Sequence, residues 1–513
     1  MSRTRQFAVN AATNYGRMLV QIAVFAVLTP YIIGKIGKPD FGLWSTVISW
    51  LGLLALLDLG LGTGAMKYVA ECHGAGDIEK RNRILSTLAA VYLAITAASV
   101  LGVTALAVCF DHLNELTPGE HGKASALLWI LAIRFVFLAL PLSLFRNALF
   151  GEQRIYLINV LQIISTVVYA GGSWLVLFLG YGVVALAWVN LAAMLLEYFG
   201  YMWFAYRKMA GLRLAYELVD KRLLKQTASF SSAQFLINVA SLVLLKTDTI
   251  IASAFFPFKV VAIYALALKV AEQSYLLAKQ FTNLLAPLAA QLKGKAEEIK
   301  VRFIFVNCTK FAMAPCMLLT VATYVAGSEA LAFWFHDPEF KAAGTILMVL
   351  LTAMTVGMAE LTSSAVLSMT GHHRVTAWAA VAEVFVNVGL SVALVRPLGL
   401  VGIAVGTLAT SVFIGLGVTV RRACELHGVT YWSYVVRALA PAILPGAVQF
   451  ALTLALKNWA PPNSLLSTVI LCIPGALLYV LLFWSFSIER GEKDLLLSKL
   501  LGRFRPVRMA AET

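Results

Sequence analysis

Charged side chains are scarce in this chain. They make up 13% of its 513 residues, where a soluble globular domain carries about 25%. With 60% hydrophobic residues and a mean hydropathy of +0.81, the shortage excludes a water-soluble fold and leaves a chain that lives in lipid. Acidic residues are fewer than basic ones, 26 against 41, for a net charge of +15. The six cysteines, Cys72, Cys109, Cys308, Cys316, Cys424 and Cys472, form no CxxC pair and no Cys/His group at zinc spacing, so most read as small apolar fillers. His372 and His373 are adjacent, but nothing near them in sequence completes a metal site, and neither a metal nor a cofactor is expected. No cleavable leader is expected either. Met1-Ser2-Arg3-Thr4-Arg5 precedes an apolar segment too long for a signal core, with no small-residue cleavage site behind it, so the first helix is expected to stay.

What the chain has instead is long apolar segments. A membrane-crossing helix needs about 20 mostly apolar residues, and about fourteen segments qualify: 11–36, 40–62, 84–110, 125–150, 155–180, 181–206, 229–255, 259–285, 303–327, 343–370, 375–395, 398–420, 434–457 and 464–488. The expected fold is an all-α integral membrane protein. An even number of spans puts both termini on one side. Loops on that side hold about 27 Lys and Arg, against about 7 opposite, so the positive-inside rule makes both termini cytoplasmic. The excess of positive charge is then a topological signal with some contact to anionic lipid, and no nucleic-acid partner is needed to explain it.

An internal repeat emerges at an offset of 220. Gly151-Glu152-Gln153-Arg154 matches Gly371-His372-His373-Arg374, and Phe41-Gly42-Leu43-Trp44 matches Val261-Ala262-Ile263-Tyr264. Leu179-Gly180-Tyr181-Gly182 matches Leu398-Gly399-Leu400-Val401-Gly402 within one residue. Each pair falls at the same helix junction, which argues for duplication of a six-helix unit. Six is even, so the copies are parallel repeats related by an axis along the membrane normal. The expected organisation is an N-lobe at 1–206, a basic cytoplasmic linker at 207–228, a C-lobe at 229–420, an appended helix pair at 421–488 and a basic amphipathic tail at 489–513, lying on the inner membrane surface.

Within the apolar spans run polar stripes. Asn10, Asn14, Arg17 and Gln21 share one face of the first helix, at steps of four, three and four. The eighth span carries Lys269, Glu272, Gln273, Lys279, Gln280 and Asn283 on one face; the seventh carries Gln234, Asn238, Ser241 and Asp248, with Lys246 nearly opposite Asp248. The fifth has Asn159, Gln162, Thr166, Tyr169 and Ser173, and the eleventh has Glu383, Asn387 and Ser391. Single charges occur at Asp58, Arg134, Glu197, Lys310 and Glu360. A cation facing lipid costs about 3 kcal/mol on insertion scales, so these faces are expected to line a water-filled, cation-rich cavity between the halves. Arg there suits phosphate as a bidentate fork and Lys as a point charge, while amides and hydroxyls bond sugar and phosphate oxygens. Structural readings stand beside this one. Lys269 and Glu272, three apart, fit mutual neutralisation; Arg17 and Lys279 fit snorkelling to headgroups; Arg134 fits a pair that holds the bundle together. Asp58 fits a cap at a helix end.

The run Tyr31-Ile32-Ile33-Gly34-Lys35-Ile36-Gly37 to Phe41-Gly42-Leu43-Trp44, then Leu56-Leu57-Asp58-Leu59-Gly60-Leu61-Gly62 and Lys67-Tyr68-Val69-Ala70, resembles the polysaccharide-exporter branch of the multidrug/oligosaccharidyl-lipid/polysaccharide (MOP) superfamily, with its O-antigen and exopolysaccharide flippases. The junctions Gly151–Arg154 and Gly371–Arg374 carry the same likeness. The resemblance implies two six-helix lobes, a cavity that opens alternately to either side, and a polyprenyl-diphosphate-linked oligosaccharide as cargo. In lipid II flippases of this superfamily a basic residue of the first helix faces the cavity, and Arg17 matches it in kind and approximate place. The last helix pair there often forms a lipid-facing groove.

The reading is therefore a non-enzymatic flippase of a bacterial inner membrane, serving lipopolysaccharide (O-antigen) or exopolysaccharide synthesis, with membrane lipids and possible polymerase and glycosyltransferase partners. Arg17, Lys269 and Lys279, helped by Lys246 or Lys310, are expected to hold the diphosphate. Asn14, Gln21, Asn159, Gln162, Gln234, Asn238, Gln273 and Gln280 are expected to line the cavity and contact sugar. Asp248, Glu272, Glu360 and Glu383 are the candidates for ion coupling. A cation-coupled drug exporter of the same superfamily is the alternative, although its cargo would want an acidic, aromatic cavity. A membrane-embedded glycosyltransferase or polymerase is the third; it would need carboxylates on a sizeable outer loop, and 111–124, with Asp111, Glu115 and Glu120, reads as ordinary solvated loop.

Overall fold

The computed structural model describes residues 3–58, 60–114, 116, 118–293, 298–489 and 493. Inside its helices, the side chains at 3–5, 7–8, 11, 111–114, 221, 224–235, 238, 277–293, 298–300 and 369 lie outside the described set. The tail beyond 489 and its amphipathic reading lie outside the described residues except for position 493.

Every regular element among the described residues is helical. In order they are α1 (Arg3–Gly52), α2 (Leu61–Ala75), α3 (Ile78–Asn114), α4 (Pro118–Ile133), α5 (Leu140–Gly151), α6 (Ile155–Phe178), α7 (Val183–Lys208), α8 (Lys221–Phe255) and α9 (Phe258–Lys293). Then follow α10 (Glu298–Phe335), α11 (Lys341–Met369), α12 (His373–Leu398), α13 (Leu400–Thr410), α14 (Arg421–Leu426), α15 (Tyr431–Tyr434), α16 (Ala440–Trp459) and α17 (Leu465–Leu482). Segments of π-helix at Arg134–Ala139, Ser411–Val420 and Val435–Leu439 join α4 to α5, α13 to α14 and α15 to α16 into continuous rods. In lipid the backbone has no water to bond with, so a helix that changes pitch without breaking keeps its amides and carbonyls satisfied.

Eleven helical stretches among the described residues are long and apolar enough to cross a membrane. The protein is a multi-pass membrane protein. Large apolar side chains point outward along these rods, among them Trp174, Trp378, Phe413, Leu466 and Phe486. A water-soluble monomer would not leave so much apolar surface uncovered. The expected fourteen segments all fall on helix, but the first two merge into one long rod, and the segments at α8 and α9 are not among the eleven. The merged rod bends at Gly37, whose φ of 81° and ψ of 165° suit glycine. Pro39, two residues on, has no amide to continue the ladder.

By contact the chain forms two compact units: Met1–Leu266 with Ala380–Gly406, and Ala267–Ala379 with Thr407–Thr513. The core of the first is built by α2, α3, α5, α6 and α7 around Leu85, Leu88, Tyr92, Leu149 and Tyr201. Polar clamps close it at one end. Arg81 at the start of α3 meets Glu152 at the α5–α6 junction, Nη1 to Oε1 at 2.9 Å, and its Nη2 donates to the Ala210 carbonyl at 2.8 Å. Asp58 accepts from the Gly62 amide at 3.2 Å, which caps the start of α2, and from the Tyr92 hydroxyl at 2.5 Å. Gly42 allows the closest approach in this unit, because a Cβ there would overlap the Phe258 carbonyl. Gly42→Ala is therefore expected to cut the yield of folded, monodisperse protein severalfold, read by fluorescence-detected size exclusion; wild-type yield would show that the contact relaxes freely.

The core of the second unit is built by α10, α11, α14, α16 and α17 around Phe305, Met358, Tyr434 and Tyr479. A hydroxyl cluster crosses it: Thr309 Oγ1 lies 2.6 Å from Thr362 Oγ1 and 2.8 Å from Tyr434 Oη. Hydroxyls on helices inside a membrane satisfy each other in this way because no water reaches them. The Gly371–Arg374 junction belongs here. Thr370 Oγ1 lies 3.3 Å from His372 Nδ1 and 3.3 Å from His427 Nε2.

Candidate functional site

Arg17 is the centre of the strongest polar constellation in the first unit. Helical spacing puts Asn14, Arg17 and Gln21 on one face of α1, and the side chains there bond directly. Arg17 Nη1 donates to Gln21 Oε1 and Nη2 to Asn14 Oδ1, both at 3.0 Å. The guanidinium fork is thus stretched along the helix between two amide oxygens. Its Nε is buried without a hydrogen-bond partner. The charges of Arg146 on α5 and Glu197 on α7, and the Tyr201 phenol, all act on Arg17.

Glu197 is 8% exposed and accepts from the Tyr201 hydroxyl at 2.6 Å. Arg134, at the π-helical joint before α5, donates from Nη1 to Asn190 Oδ1 at 2.8 Å and lies within electrostatic reach of Glu197, Tyr169 and Tyr198. Tyr198 in turn feels Glu197, Arg146 and Arg134. Arg17 and Arg134 therefore share the one carboxylate of Glu197. Two half-buried arginines on one carboxylate leave an excess of positive charge for an anion to meet, and arginine is the side chain suited to bind one through two parallel N–H donors.

The other expected site residues are placed differently. Asn159 on α6 is 3% exposed and donates to Thr13 Oγ1 at 3.0 Å, so it fastens α6 to α1. Asn10 does the same, accepting from the Tyr156 amide at 2.9 Å and donating to the Gln153 carbonyl at 3.1 Å. Gln162 is half-buried on α6. Lys246 is half-buried on α8, its stem 3.3 Å from the place a Cβ on Gly52 would take. Asp248 is buried and accepts from the Tyr264 hydroxyl at 2.7 Å. Glu383 is buried on α12, in the first unit.

In the second unit, Lys269 is exposed on α9, with Glu272 and Gln273 half-buried on the following turn. Lys310 is 3% exposed, its Nζ 5.4 Å from the Phe311 ring centroid. Glu360 on α11 is half-buried, its Oε2 2.8 Å from where a Cβ on Gly415 would stand. Gln234, Asn238, Lys279 and Gln280 lie on α8 and α9 with side chains outside the described set. Among the described residues no group of three or more His, Cys, Asp or Glu is arranged to hold a metal ion.

Of the expected residues, then, Asn14, Arg17 and Gln21 are joined by direct bonds. Arg146 was not among them, because its position at the end of a span reads in sequence as a loop charge. Arg134 and Glu197 are visible in sequence only as isolated charges on different helices.

The first unit thus holds a polar, arginine-bearing site within a multi-helix membrane bundle. Residues 4–289, more than half of the chain, match the family described as polysaccharide biosynthesis protein, and the chain belongs to that family. Among solved structures, the fold is similar to the lipid II flippase MurJ in an inward closed conformation, with a TM-score of 0.71 at 12% identity over 97% of this chain and 100% of that one. It is similar to an inward-facing multidrug resistance MATE family transporter, with a TM-score of 0.64 at 16% identity over 80% of this chain and 98% of that one. It is also similar to a MOP superfamily transporter from Pyrococcus furiosus whose binding pocket has reverse polarity, with a TM-score of 0.59 at 15% identity over 82% and 95%. At these identities the likeness is one of fold. No curated protein matches the sequence.

Proposed function

We propose that this protein is a flippase that moves a polyprenyl-diphosphate-linked oligosaccharide from the cytoplasmic to the periplasmic leaflet of a bacterial inner membrane, for O-antigen or exopolysaccharide synthesis. The observation that carries the reading is the Arg17 fork, held between Asn14 and Gln21, with the charge of Arg146 acting on it and one acid, Glu197, shared with Arg134. Family membership supports it. Arg17 would take the diphosphate, with Lys269, Lys279, Lys246 and Lys310 supplying further positive charge. Asn14, Gln21, Gln162 and Gln273 would offer amides to sugar.

In this reading the chain has fourteen spans, both termini on the cytoplasmic side, and two six-helix lobes at 1–206 and 229–420 that work by alternating access. The linker 207–228, the appended pair 421–488 and the tail 489–513 complete it. An inside-negative membrane potential would favour outward movement of the diphosphate by about 2.3 kcal/mol per net charge per 100 mV. Asp248, Glu272, Glu360 and Glu383 are the acids available for ion coupling. Membrane lipids are its surroundings, and a polymerase and glycosyltransferases would be its neighbours in the pathway.

The test is transport by the purified full-length protein in liposomes loaded on one side with a labelled lipid-linked oligosaccharide. Appearance of the sugar on the far side, at a rate well above protein-free liposomes, is expected; a rate equal to that background would sink the reading. A second reading, a cation-coupled drug exporter, draws on the buried acid Glu383 on α12. It would be favoured by efflux of an organic cation that Glu383→Gln abolishes.

A further inference from the structure

A cavity of about 410 Å3 lies in the first unit between α2 and the α5–α6 junction. Thr63, Met66, Lys67 and Ala70 of α2 face Phe150 and Gln153 of the junction across it. None of these residues belongs to the Arg17 constellation. The volume is within the range of small-molecule sites, about 300–1,000 Å3.

Its shape is built in. Gly151 lets the junction press onto α2: a Cβ there would come within 2.9 Å of the Met66 carbonyl oxygen and 2.8 Å of Val69 Cβ. Gln153 holds a left-handed φ of 61°, uncommon outside glycine. That turn aims its carbonyl at α1, where it accepts from Gln6 Nε2 at 2.9 Å and Asn10 Nδ2 at 3.1 Å. Lys67 puts an ammonium on the wall. Its Nζ lies 3.9 Å from Glu71 Oε1, beyond hydrogen-bond length, and 5.2 Å from the Tyr68 ring centroid. Met66, Ala70 and Phe150 supply an apolar wall beside it.

A cation beside an apolar wall suits an anionic head joined to an aliphatic chain, and in a membrane the abundant anionic head is a phosphate. The charge meets Lys67 and the first carbons of the chain lie on Met66 and Phe150. A free phosphate would gain nothing from that wall, and a zwitterionic headgroup would bring a cation close to Lys67. We propose that this cavity binds the phosphate and proximal chain of an anionic lipid. A membrane phospholipid and a polyprenyl phosphate share this chemistry, and the proposal stands whether or not the protein is a flippase.

The experiment is native mass spectrometry of the full-length protein with phosphatidylglycerol, a polyprenyl phosphate, phosphatidylcholine or inorganic phosphate added in separate arms. Retention of at least one of the two anionic lipids is expected, and which one is retained names the source. Occupancy should fall about fivefold in Lys67→Gln, as for loss of one lysine at a lipid surface, and be kept in Lys67→Arg. Ala70→Trp, which fills the cavity and leaves the charge, should abolish it. Melting temperatures equal to wild type identify the variants that report on binding, and either variant suffices. The proposal is overturned if the wild type retains neither anionic lipid, if a variant that melts as wild type retains anionic lipid at the wild-type level, or if phosphatidylcholine or inorganic phosphate is held as well as the anionic lipids.

Discussion

Arg17→Ala is expected to slow transport of the lipid-linked cargo by about 10- to 100-fold at unchanged protein level, the equivalent of one charge-assisted hydrogen bond at roughly 1.5–3 kcal/mol. Arg17→Lys should recover only part of this. It restores the charge, but a lysine cannot occupy both amide oxygens that now lie 3.0 Å from two separate guanidinium nitrogens. The measurement is initial transport rate per reconstituted protein, in liposomes or as complementation of surface polysaccharide with membrane levels quantified. Lys269→Ala and Lys279→Ala belong in the same series. Wild-type rates in all three alanine variants would mean that cations in the spans do not receive the cargo's charge.

The largest expected effect on stability is at Glu152. Arg81 and Glu152 are 6% and 4% exposed and bond at 2.9 Å. Arg154 adds a second contact to the same carboxylate at 3.2 Å but is more exposed, so it contributes less. Glu152→Ala would leave Arg81 buried with its charge uncompensated, its Nε already lacking a partner. Breaking such a pair from one side costs about 3–5 kcal/mol, whereas replacing both partners with apolar groups of similar size is often neutral. Glu152→Ala should therefore lose most folded protein or melt well below wild type, and Arg81→Met combined with Glu152→Leu should restore most of the loss. Equal melting temperatures for Glu152→Ala and wild type would show that water reaches Arg81 and the pair is not truly buried.

Much of the fold could be read along the chain. Each expected apolar segment falls on helix, because a span needs only local apolar length and a backbone that satisfies itself. The merging of the first two segments was less legible. Gly37 and Pro39 read as a loop, yet a single left-handed glycine lets the two helices continue as one bent rod. The Asn14, Arg17 and Gln21 face was legible for the same local reason: positions three and four apart on a helix are neighbours in any fold. Asn159 shows the limit of that logic. Its helical face was correctly polar, but whether an asparagine greets water or fastens two helices depends on what packs opposite, and here Thr13 does.

Lipid residence, the helices and the α1 stripe follow from periodicity and hydropathy, properties that act over a few turns and need no partner. The gathering of Arg146 and Glu197 about Arg17, the reach of Glu197 to Arg134, and the Arg81–Glu152 clamp 71 positions apart, exist because separate helices pack side by side. That packing is a choice of ridges, grooves and volumes summed over many side chains, and no short stretch of sequence carries it.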